Sequence, residues 1–136
     1  MKLPILLLSL TLALAAPLAA AKTDKLEPPQ RVLFVGPAGR TPAPDTLRGA
    51  IAGAGALRGW QLIEEAPGRM VLRNVIRGKH TVVVAVVYDP QGFQIEYVSS
   101  ENLNYKERRG QAYIHPKYHQ WVANLAQDIS ARVAAL

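Results

Sequence analysis

Cysteine is absent from the 136-residue chain. That absence excludes disulfides, a thiol nucleophile, a thiolate metal site and the lipid-bearing cysteine of a lipoprotein. A domain of this size without cross-links holds together by packing alone. Acidic residues are in the minority, 10 against 16 Lys and Arg, for a net charge of +6. An excess of this size serves solubility or draws the protein to anionic lipid, glycan or acidic protein surfaces. No basic motif interleaved with aromatics accompanies it, so nucleic acid is not indicated. The length allows one domain. Long hydrophobic runs are also missing, with one exception at the start.

The exception has three parts. Lys2 gives a positive start. Leu3 to Leu14 is apolar apart from Pro4, Ser9 and Thr11. Ala15 to Ala21 is rich in small residues and ends in Ala19-Ala20-Ala21 before Lys22. This is the form of a cleavable secretory signal, whereas a spanning helix needs roughly 20 apolar residues with different flanks. The expected organisation is a signal peptide at 1–21, a flexible or extended segment at 22–44 and a single domain at 45–136. The mature chain is then periplasmic or secreted, with no transmembrane segment.

Within that domain the pattern changes from helix to strand and back. Asp45 suits an N-cap, Leu47, Ala50, Ile51, Ala54 and Leu57 recur at helical spacing, and Gly59 sits where a C′ glycine ends a helix. Gly49, Gly53 and Gly55 each cost the helix about 1 kcal/mol relative to alanine, a cost offset where they allow close packing on a sheet. Their spacing is wrong for a nucleotide-binding loop, and no cofactor is indicated. Four strand candidates follow, at 60–65, 70–77, 81–88 and 93–99. Asp89-Pro90-Gln91-Gly92 is a strong hairpin turn. It pairs Tyr88 with Phe93, Val86 with Ile95 and Val84 with Tyr97, and puts these side chains in the core. Met70, Leu72 and Ile76 join them if the preceding loop has three residues, expected as Gly78-Lys79-His80. A two-residue loop would bury Arg69, Arg73 and Arg77 instead, at prohibitive cost. From Pro116 onward Tyr118, Trp121, Val122, Leu125, Ile129 and Val133 form one apolar helical stripe. The expected fold is α+β: a four-stranded antiparallel meander flanked by an N-terminal and a C-terminal helix.

Two segments, Ser100-Glu101-Asn102-Leu103-Asn104-Tyr105 and Ile114-His115-Pro116-Lys117-Tyr118-His119-Gln120-Trp121, resemble motifs of a family of small uncharacterised proteobacterial envelope proteins, many of them lipoproteins. Gly59-Trp60, Arg77 and His80 fit the same pattern, and the resemblance covers roughly residues 45–133. It implies an envelope location and no particular reaction. The chain departs from that family in lacking the lipid-bearing cysteine and in carrying extra residues around 106–110.

Candidate chemistry is sparse. His115 and His119 are four apart, a spacing that can bind zinc or copper, with His80 or Glu101 as a conceivable third ligand. No carboxylate completes an H-E-x-x-H pattern, and no metal site is expected. Ser99 and Ser100 lack the glycines of a nucleophile elbow, and Glu64, Glu65, Glu96 and Glu101 do not form a facing pair, so catalysis is not expected. Asn102, Asn104, Tyr105 and His115 can bind a small polar ligand or can tie a long loop to its scaffold. The outward sheet face is the second candidate. Val71, Val75, Val83 and Val87, with Ala85 and Val98, should point away from the core beside Arg73 and Arg77. A solvated sheet face is normally polar, so this face should be covered by the 31–35 segment, another copy or an envelope protein. The expected function is a non-enzymatic interaction or binding module, with small-ligand or metal binding at 99–119 as the alternative.

Overall fold

The computed structural model describes residues 22–36 and 40–136; the expected signal peptide, 1–21, lies outside the described residues. In chain order the elements are β1 (Asp24–Lys25), β2 (Val32–Leu33), α1 (Pro44–Ala56), β3 (Gln61–Ala66), β4 (Arg69–Ile76), β5 (His80–Asp89), β6 (Gly92–Glu101), β7 (Lys106–Arg108), β8 (Gln111–Ile114) and α2 (Lys117–Ala134). The fold is α+β with two antiparallel sheets, one of five strands ordered β2-β6-β5-β4-β3 and one of three ordered β1-β8-β7. The expected meander is present as β3 to β6 but is not the whole sheet. β2 extends it at the β6 edge, pairing Val32 with Phe93 and Leu33 with Gly92. The flexible or extended segment 22–44 supplies β1 and, within its short apolar run 31–35, the edge strand β2; the long loop 99–115 supplies β7 and β8. Strands of two to four residues are too short for alternation to show.

Helix α1 begins one residue before Asp45, with Pro44 in its first turn and no side-chain cap. It ends as the glycine predicts. Gly59 has φ +87°, its N–H bonds the Ala56 carbonyl, and the Trp60 N–H reaches back to the Gly55 carbonyl. That is the Schellman closure, and only glycine adopts its left-handed residue without strain. Gly55 faces the sheet: a Cβ there would stand 3.2 Å from the Trp60 Cβ and 3.3 Å from a Leu72 methyl. The absent side chain is what lets α1 sit this close.

The β5–β6 register is as the turn chemistry requires: Tyr88 opposite Phe93, Val86 opposite Ile95, Val84 opposite Tyr97. Asp89 fixes the turn by accepting the N–H groups of Gln91 and Gly92 at 2.8 and 3.1 Å. The β4–β5 loop has three residues, but they are Arg77-Gly78-Lys79, with Ile76 opposite His80. The register is thus two residues from the expected one, and a shift of two keeps every side chain on its face. Arg77 enters the loop with φ +55°, a conformation that its residue type does not advertise. A bulge at Val98 sets Val84 opposite Tyr97 but Val83 opposite Ser99. Beyond it Ser100 returns to the inner face, where its Oγ meets the Tyr97 hydroxyl at 2.8 Å.

Both helices lie on the inner face. Leu47, Ile51 and Ala54 of α1 and Tyr118, Leu125, Ile129 and Val133 of α2 form one buried cluster with Met70, Leu72, Val82, Val84, Val86 and Phe93. Full burial of each large side chain is worth about 1.5–3 kcal/mol. Leu103 and Ile114, from the stretch before β7 and the end of β8, close the same cluster. Trp121 sits at the margin of the stripe rather than within it, its ring centroid 5.8 Å from that of His80.

Candidate functional site

Three of the four candidate polar residues of the 99–115 stretch, Asn102, Tyr105 and His115, are placed by bonds within the chain. Asn102, at φ +58°, donates its Nδ2–H to the Lys79 carbonyl at 2.8 Å, and its own carbonyl meets His80 Nδ1 at 2.8 Å. These bonds tie the end of β6 to the β4–β5 turn. Asn104 is also left-handed, at φ +53°. Tyr105 donates to Glu107 at 2.8 Å and stacks on Tyr97 with centroids 4.7 Å apart. His115 donates its backbone N–H to Leu103, and its Nδ1 accepts the Lys117 N–H at 3.1 Å, so it caps the start of α2. Among the described residues no group of three or more His, Cys, Asp or Glu side chains stands close enough to hold a metal ion, and no helix is long and apolar enough to cross a membrane.

The outer face of the five-stranded sheet carries neither helix. From β4 across β5 to β6 its rows are Arg69, Val87 and Gln94; Val71, Ala85 and Glu96; Arg73, Val83 and Ser99; Val75, Thr81 and Glu101. Val71 and Ala85 are buried on this face, whereas Val75 at 44% and Val98 at 43% are open. Arg77, expected on this face, lies in the turn instead, because the loop begins one residue after Ile76. The charges form columns. Arg69 and Arg73 stand on β4, Glu96 and Glu101 on β6, and the valines of β5 lie between them. The ion pairs among the described residues are Arg31–Asp89, Arg48–Glu65 and Arg58–Asp128, and none draws on these columns.

A cleft opens on the inner side, beside β6. The segment from Leu26 to Gln30 runs from β1 to β2 over the gap between β6 and α2. Pro28 and Pro29 have no N–H to offer the β6 edge, so the segment cannot pair along it and stands off as a strap. Beneath it is a cavity of about 770 Å³, walled by Phe93, Ile95 and Tyr97 on one side and Tyr118, Val122 and Ala126 on the other. None of Asn102, Asn104, Tyr105 and His115 lines it. Sequence reasoning missed this site because its signal, two prolines in an apparent tether, means nothing until both ends of the tether are known to be paired.

Its electrostatics are local. Burial pushes the Tyr118 phenol well above its ordinary range, with Tyr97 adding to the effect, and burial likewise raises Tyr97. Both remain neutral phenols at any physiological pH. On the far rim of the fold Arg48 binds Glu65 through two bonds of 2.7 and 2.6 Å and holds that carboxyl below its usual value.

No family model, no curated protein and no solved structure matches this chain.

Proposed function

We propose that the protein is an exported, non-enzymatic association module of the cell envelope. Its contact surface is the outer face of the five-stranded sheet, and its partner there is a second copy of the same chain. Export is supported by the composition of residues 1–21. The observation that carries the association is the pair of charge columns flanking the β5 valines.

Two identical sheets packed face to face, about 10 Å apart, are related by a twofold axis lying in the interface. An axis perpendicular to the strands would set the Arg69–Arg73 column on its own copy, like charge on like. An axis along β5 exchanges the columns, so that Arg73 of one copy lies within one row of Glu96 and Glu101 of the other. Val83 and Val87 then meet their counterparts near the centre. Apolar centre, charged rim and aligned strands belong to a single arrangement. Small-ligand binding by Asn102, Asn104, Tyr105 and His115 has less support, because Asn102, Tyr105 and His115 are already bonded within the chain and none of the four lines the cleft.

Sedimentation equilibrium of the protein from a periplasmic fraction tests this. A dimer is expected. Arg73→Glu should weaken it at least about tenfold, because it sets like charges opposite. Adding Glu96→Arg to that variant should restore it. A monomer at every concentration, or dimerisation indifferent to Arg73→Glu, contradicts the proposal. Recovery in a stable complex with a different envelope protein would replace the second copy by that partner.

A further inference from the structure

On the opposite side of the sheet we infer a separate binding site: the cleft under the Leu26–Gln30 strap takes a monoacyl chain, whose carbonyl or carboxylate oxygen accepts a hydrogen bond from the Tyr118 hydroxyl.

The shape of the cleft points to a chain rather than a compact molecule. One wall is a single helical row, Tyr118, Val122 and Ala126, eight residues of rise or roughly 12 Å. The other is one face of β6, Phe93 to Tyr97, about 13 Å. At one end Tyr118 meets Tyr97 edge to face at 5.6 Å. At the other, Val32 of β2 closes on Phe93. A volume of about 770 Å³ lies within the range of small-ligand pockets.

The second observation is Tyr118 itself. The residue is 4% exposed, yet no hydrogen bond among the described residues engages its hydroxyl. Among the described residues no fully buried side-chain polar atom lacks a partner, so this hydroxyl is not sealed in, and the open space that its residue lines is the cleft. The neighbouring polar groups are spoken for. Tyr97 is bonded to Ser100, Gln111 to the Leu26 and Ala112 carbonyls, and His119 Nε2 accepts the Glu27 N–H at 3.4 Å. A phenol that is largely buried and unbonded stands to gain from an acceptor oxygen brought in by a ligand. Lys25 and Glu27 at the rim supply both signs of charge, so the head of the chain is recognised by its acceptor oxygen and not by net charge.

The test is a fluorescence titration of the periplasmic protein with cis-parinaric acid, kept below its micellar concentration. Saturable binding of one probe per chain is expected, displaced by palmitate or by a lysophospholipid. Whichever competes better identifies a free carboxylate or an ester carbonyl as the head. Tyr118→Phe removes only the hydroxyl and should weaken binding about three- to tenfold at unchanged melting temperature. Ala126→Phe should fill the apolar wall and abolish binding; if it also disturbs folding, Tyr118→Phe decides alone. Absence of saturable binding, or wild-type affinity in Tyr118→Phe, overturns the inference. Neither result bears on the dimer, which uses the other face.

Discussion

The two faces of the five-stranded sheet are built from the same strands and nearly the same residues, yet only one of them carries the helices. On β5 the inward Val82, Val84 and Val86 are fully buried under two helices, while the outward Val83 and Val87 remain partly open. The charges divide the same way. On the helix side Arg48 pairs with Glu65 and Arg58 with Asp128. Those on the outer side, Arg69 and Arg73 against Glu96 and Glu101, are held apart by a strand of valines and form no ion pair among the described residues; the proposed dimer would match them by rotation onto another copy. A strand buried on both faces reads as a continuous apolar run. The β5 sequence Val82-Val83-Val84-Ala85-Val86-Val87 is such a run in a chain whose two helices both pack on one face.

The comparison is broken most sharply by truncating one face and then the other. Leu125→Ala, in the centre of the inner cluster, should cost about 2–5 kcal/mol in urea unfolding, because it leaves a cavity between α2 and the sheet. Val75→Ala on the outer face should change the stability of the monomer by no more than about 0.5 kcal/mol. Equal losses would mean that the outer face is packed within the chain.

A smaller effect separates two glycines of α1. Gly49 is exposed, and a Cβ at that position would have no neighbouring atom within 4 Å. Gly49→Ala should therefore stabilise by about 0.4–1 kcal/mol through helix propensity and a less flexible unfolded chain. Gly55→Ala brings the new methyl against Trp60 and Leu72 and should cost about 1 kcal/mol or more. Thermal melts of the two variants should move in opposite directions.

The smallest effect is in acid. The Asp89 carboxyl is held below its usual value, first by the Gln91 N–H and then by Arg31, with desolvation opposing; Glu65 is lowered by Arg48. A depressed folded-state value gives stability that is present above the unfolded value, about 4, and lost as pH falls through the folded one. The melting temperature of Asp89→Asn should fall less than that of the wild type between about pH 5 and about pH 2. Added salt should act on the other face, loosening the dimer at near-neutral pH while leaving the melting temperature of the monomer almost unmoved.

What could be read from the sequence follows the strength of each local signal. The Asp89-Pro90-Gln91-Gly92 turn sets the β5–β6 register and with it the assignment of every side chain on those strands up to the bulge. The stripe of α2 and the terminal glycine of α1 are equally plain. The β4–β5 loop is displaced by one residue, and the register by two, because a left-handed arginine gives no warning in composition, although the requirement to keep Arg73 out of the core still fixes the faces. The bulge at Val98 and the small sheet have no pattern to betray them. β1 and β2 hold two residues each, and their pairing partners lie some sixty to ninety positions away in the chain. The cleft depends on that pairing and is therefore invisible in the sequence, whereas the outer valines are visible because alternation alone exposes them.

Adjacent residues on β5 offer the most direct measurement. Val82 faces the helices and Val83 faces outward, so Val82→Glu and Val83→Glu place the same charge one residue apart on opposite sides of one strand. Circular dichroism and sedimentation equilibrium of the two variants should give different answers. Val82→Glu should fail to fold, since an unpaired carboxylate cannot be accommodated in that core. Val83→Glu should retain the wild-type spectrum and a cooperative melt but sediment as a monomer. A Val83→Glu protein that unfolds as Val82→Glu does, or that remains folded and dimeric, would contradict the assignment of the outer face to a second copy.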